Sequence, residues 1–159
     1  MATIVAGAVA ASVIDLRTRR VPNALTALLA LVGVAFAGFG ISSLTVGASL
    51  AGIGLGLALM LPGHLFGATG AGDVKFFAAM GALIGPAHIA TAFVYTAIAG
   101  GAIAVLVSLR RKRLQQTLAG TARLFGSAAA DALDAPLANN RFAYAPAIAV
   151  GTTLAAFGL

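Results

Sequence analysis

The sequence predicts an all-α, polytopic integral membrane protein of about six transmembrane helices with a cytoplasmic interfacial helix. Three observations carry this. Of the 159 residues, 60% are hydrophobic and only 9% are charged, whereas a soluble chain is about half apolar and about a quarter charged. Mean hydropathy is +1.02. The charges cluster between apolar runs, as Arg17, Arg19, Arg20 and as Arg110, Arg111, Lys112, Arg113, which is how membrane proteins mark their cytoplasmic loops.

A spanning helix needs roughly 20 apolar residues, or about 17 when short. Apolar runs fall at residues 1–16, 24–41, 44–62, 74–109 and 142–159. The first is short and tilts little or thins the bilayer. It also carries Ala8-Val9-Ala10, which mimics a signal-peptide cleavage site, but it lacks the positively charged start such peptides have. In the second run, Asn23 is placed to cap the helix. The fourth would make about 54 Å of helix against a hydrocarbon core of about 30 Å. Gly85-Pro86 lies inside it and is where it breaks or turns, so five runs become six spans. Glycines four apart (Gly52 and Gly56, Gly63 and Gly67, Gly81 and Gly85) read as surfaces where helix backbones approach closely.

Placing residues 17–23, 63–73 and 110–141 in the cytoplasm, with both termini outside, puts all ten Lys and Arg in or beside a cytoplasmic loop. The whole chain, 1–159, is then one transmembrane domain, with 110–141 a cytoplasmic loop or interfacial segment within it. Leu114, Leu118, Thr121 or Ala122, and Phe125 recur at helical spacing, which suits either a helix lying at the interface or a solvated linker with some helix. The net charge of +6 would suggest nucleic acid in a soluble protein. Here the basic clusters lack interleaved aromatics and there is no Trp, so nucleic acid is not expected as a partner. The basic residues read as orientation signals and contacts to anionic membrane lipid.

Ionisable groups at membrane depth are costly and mark functional sites. The chain has four Asp and no Glu. Asp131 and Asp134 lie in a polar stretch and read as solvated. Asp15 ends the first span, and Asp73 starts the fourth within Gly70-Ala-Gly-Asp-Val-Lys75. On this topology the two share one face and one depth. Two carboxylates brought close in a low-dielectric site cannot easily both ionise and hold one proton between them, the working state of an aspartic protease. The alternative is that each pairs with a cation, Asp15 with Arg19 and Asp73 with Lys75 or an arginine. Gly70 and Gly72 permit unusual backbone geometry and close approach of a substrate strand. Because glycine weakens a regular helix, a loop or broken helix is expected around Asp73.

Other chemistries lack their residues. With no Cys in the chain, thiol catalysis and Cys-ligated zinc are excluded. No His-Glu-x-x-His motif occurs, and His64 and His88 fall on opposite sides in this topology, so no metal or cofactor is expected. No serine stands in a Gly-x-Ser-x-Gly elbow. His64 is near enough in sequence to tune the Asp73 loop, or is a plain interfacial residue.

Asp15-Leu-Arg-Thr-Arg-Arg-Val-Pro-Asn23, followed after two spans by Gly70-Ala-Gly-Asp-Val-Lys75, resembles the type IV prepilin peptidases, aspartic intramembrane proteases with a Gly-x-Gly-Asp signature. Tyr144-Ala-Pro-Ala-Ile-Ala-Val-Gly151 is similar to the family's last-span segment, although Phe142-Ala143 departs from its usual residues. The resemblance implies that Asp15 and Asp73 are the catalytic carboxylates, with Gly70, Gly72 and Lys75 in the loop the substrate approaches. It implies prepilin or pseudopilin substrates, cut after a glycine where a basic leader meets a hydrophobic helix, and pilus assembly machinery as a further partner. Larger members carry a cysteine-bearing cytoplasmic domain associated with N-methylation. This chain looks like the short, peptidase-only form of tight-adherence (Tad/Flp) pilus systems in the bacterial inner membrane, with its active site facing the cytoplasm. An alternative from another class is a small transporter or channel subunit in which Asp15 and Asp73 handle protons or a cation.

Overall fold

The first apolar run forms helix α1, Ala2–Thr18. The computed structural model describes residues 2–18, 21–67, 69–110 and 144–158. Every element among these is helical: after α1 come α2, Asn23–Gly38, α3, Val46–Leu65, α4, Ala71–Arg110, and α5, Ala145–Ala156. The expected interfacial helix, Asp131 and Asp134 lie outside the described residues, as do Arg19 and Arg20. Two stretches, Val46–Leu65 and Ala71–Ile103, are long and apolar enough to cross a membrane.

Helix α4 does not run straight. Gly85 has φ 79° and ψ 174°, a left-handed backbone open to glycine, and Pro86 follows it. The rings of Phe77 and Phe93 sit 6.2 Å apart, edge to face. In a straight helix about 24 Å would separate them. The helix therefore folds back at Gly85 into two antiparallel arms, the turn that its length demanded.

This folded helix is the centre of the molecule, with α2, α3 and α5 packed on it. Phe76, Phe77, Met80, Ile89 and Ile148 fill the fully buried core between its arms and α5. Against the first arm, α3 comes so close that a Cβ on Gly52 would overlap the Gly81 carbonyl, and Gly56 faces the Ala78 backbone. Ser49 fixes the register there, its hydroxyl donating to the Ala82 carbonyl at 2.8 Å. Close backbone contact of this kind holds helices together where lipid removes the hydrophobic drive. Of the spaced glycines, Gly67 and Gly85 serve turns with positive φ instead. Helix α1 lies along α5 and touches α4 sparingly.

Large apolar side chains also lie on the outer surface. Val9, Leu16, Leu28, Leu31, Leu61, Val94 and Ile98 are exposed on the flanks of several helices. In water such a continuous surface would drive aggregation; against lipid tails it is matched to its solvent.

Candidate active site

One end of the bundle gathers the end of α1, the start of α2, the end of α3 and the starts of α4 and α5. Asp73 sits there in the first turn of α4. Its main-chain N–H donates to the Gly70 carbonyl at 3.0 Å, and the Gly70 N–H donates to Asp73 Oδ2 at 3.1 Å. A carboxylate three residues into a helix that reaches back to the capping amide satisfies an otherwise orphaned donor. The expected loop or broken helix at Asp73 is thus corrected: the helix begins at Ala71. Gly70 stands just outside it, where its conformational freedom costs the helix nothing, and the aspartate cap offsets the weakness of Gly72.

Asp15 lies in the last full turn of α1. Its Oδ2 accepts the Ala145 N–H at 3.1 Å, a buried contact across 130 residues of chain. That amide is the first of α5, which has no side-chain cap of its own. Helix α1 therefore supplies the cap that α5 lacks, and the positive end of the α5 dipole faces a carboxylate.

These elements bring the two acids together. They are 4% and 8% exposed and lie within electrostatic range of each other. Among the described residues, the hydrogen bonds to these carboxylates come from neutral amides. Lys75, one of the cations expected beside Asp73, donates instead to Asn23 Oδ1 at 3.0 Å. Two such groups can share a proton, so that one accepts a proton from water while the other donates to a carbonyl.

Several residues take roles other than those expected. Asn23 does not cap α2; Pro22 occupies the capping position with φ −63° and ψ 136°, which leaves the Asn23 side chain free for Lys75. Gly72, half-buried, is covered on its Cβ side, where a Cβ would stand 3.3 Å from the Val21 carbonyl oxygen. The chain's own α1–α2 linker occupies that face. His64 Nδ1 lies 3.0 Å from the Thr69 carbonyl and joins the end of α3 to the turn before Asp73. His88 bonds the Ile84 carbonyl at the far end. Among the described residues, no three His, Cys, Asp or Glu converge as a metal site would require.

Sequence reasoning singled out Tyr144–Gly151 but gave the start of α5 no role at the site. Tyr144 lies with its ring over Gly100. Ala145 acts through its main-chain N–H, which every residue except proline carries, so residue type held no signal for it. Pro146, in the first turn of α5, was the available hint of a helix start.

No curated protein and no solved structure matches the chain significantly. A family model described as the type IV leader peptidase family matches residues 2–105, a span that includes both Asp15 and Asp73. The chain belongs to the type IV leader peptidase family, and is accordingly a membrane-embedded protease with prepilins as its class of substrate.

Proposed function

We propose that the chain is an aspartyl-dyad endopeptidase that removes the basic leader from type IV prepilins of the Flp/Tad kind at the cytoplasmic membrane face, without N-methylation. The observation that carries the reading is the meeting of Asp15 and Asp73, both buried, at one end of the bundle and within range of each other's charge. One carboxylate takes a proton from water as the water oxygen attacks the scissile carbonyl. Its protonated partner donates to the carbonyl oxygen, and collapse of the tetrahedral adduct returns a proton to the leaving amine.

In this reading each arm of α4 is a separate crossing, which with α1, α2, α3 and α5 makes six segments among the described residues. Arg17 and Lys75 lie at the same end as the acids, and that end faces the cytoplasm by the positive-inside rule. A prepilin leader held in the cytoplasm and followed by a membrane helix presents its scissile bond at this depth. Gly70, Gly72 and Lys75 then shape the turn that carries Asp73. Absence of Cys from the sequence supports peptidase activity alone.

The test is cleavage of a purified prepilin by the full chain in detergent or lipid. Asp15→Asn and Asp73→Asn are each expected to lower kcat by at least about a thousandfold, since the two acids act as one unit, while thermal unfolding shows intact protein. Cleavage retained by either variant would overturn the dyad.

A further inference from the structure

The linker that follows Asp15 and the helical turn that holds Asp73 are fastened to each other at two places. Val21 is buried and lies against Gly72, so close that a Cβ on the glycine would come within 3.3 Å of its carbonyl oxygen and 3.4 Å of its nitrogen. Two residues further on, where the linker enters α2, Asn23 Oδ1 accepts from Lys75 Nζ at 3.0 Å, across 52 residues of chain. Val21 and Asn23 sit six and eight residues beyond Asp15, and Gly72 and Lys75 flank Asp73 on both sides. Each fastening is short and joins the segment of one acid to the segment of the other, which matters because α1 itself touches α4 sparingly.

We propose that Asn23 and Lys75, closing over the Val21–Gly72 contact, form a clasp that holds the Asp15 segment in register with Asp73, and that Lys75 is a positioning residue, neither the counter-ion of an aspartate nor a contact for the leader. This rests on the dyad reading above. The energetics fit positioning better than stability. Both side chains of the pair are exposed, and an exposed polar contact contributes about 0–1 kcal/mol to folding. Reaction geometry is less forgiving, since a displacement of about 1 Å can cost a hundredfold in rate. The Lys75 ammonium, committed to a neutral amide oxygen, is also poorly placed to neutralise a carboxylate.

The test compares Asn23→Leu, Lys75→Met and the double variant of the full chain on a purified prepilin, with Asp15→Asn and Asp73→Asn alongside. If the clasp positions the acids, each single change lowers kcat about five- to tenfold with KM nearly unchanged. The double variant is then no worse than either single, because both remove one interaction. Asn23→Asp, which restores an acceptor for Lys75, recovers the parent kcat. A second readout uses the absence of native Cys: Asn23→Cys with Lys75→Cys, joined by a short bifunctional thiol reagent, regains the kcat that the unjoined pair loses. Additive losses, or a rise in KM confined to Lys75→Met, would overturn the clasp in favour of a leader contact. Parent-like kcat in all three variants would also overturn it, while inactive Asp→Asn controls in that same experiment leave the dyad standing. Active Asp→Asn controls would sink the dyad, and the clasp with it.

Discussion

At the scale of single residues, the site is made by main-chain amides as much as by side chains. Asp15 and Asp73 were legible in the sequence because a chain with four acidic residues has few candidates at membrane depth. Ala145 was not, since its contribution is an N–H with no residue signature. This supplies a prediction. Replacing the Ala145 amide by an ester, with the side chain kept, deletes the donor to Asp15 and should lower kcat about tenfold, because hydrogen bonds to charged groups are among the stronger ones. Unchanged cleavage kinetics would show that Asp15 is held by other contacts. Proline at 145 is a poorer probe. Tyr144 has helical φ and ψ of −90° and −19°, a conformation disfavoured before proline. Asn23 teaches a similar lesson: its type suited a cap, but Pro22 already occupied the capping position, and a partner 52 residues away claimed the side chain.

At the scale of elements, the break in the fourth apolar run was readable from length alone, because an unbroken helix would overshoot the bilayer and Gly85-Pro86 was the place to bend it. The start of α4 was not readable in the same way. Glycine's low helix propensity argued for irregular backbone, and the Gly70–Asp73 cap with the Val21 contact outweighed it. The α3–α4 contact gives a stability test. Gly52→Ala places a methyl against the Gly81 carbonyl and should destabilise by about 1–3 kcal/mol, the usual cost of overpacking. Gly54→Ala, on the open face of the same helix, should be neutral or stabilising by up to about 1 kcal/mol. Thermal unfolding in detergent reads both, and equal midpoints for the two variants would contradict the close packing.

At the scale of the whole molecule, composition alone announced a helical membrane protein, and the apolar flanks of the bundle agree with it. Orientation is open to direct measurement in a chain without native Cys. A cysteine at Ser43, exposed in the α2–α3 loop, should react with a membrane-impermeant maleimide in intact cells. A cysteine at Thr18, exposed at the end of α1, should react only after permeabilisation. The reverse pattern would invert the topology and detach the acids from the cytoplasm. The bundle is also unevenly bonded: α3 is locked to the first arm of α4 backbone to backbone, while α1 meets that arm at few points. Asp73 thus rides on the arm that is locked to α3, while Asp15 is tied to the bundle chiefly through α5, by the Ala145 amide and by the length of α1 that lies along it, so that the spacing of the two acids is set through a helix to which neither belongs.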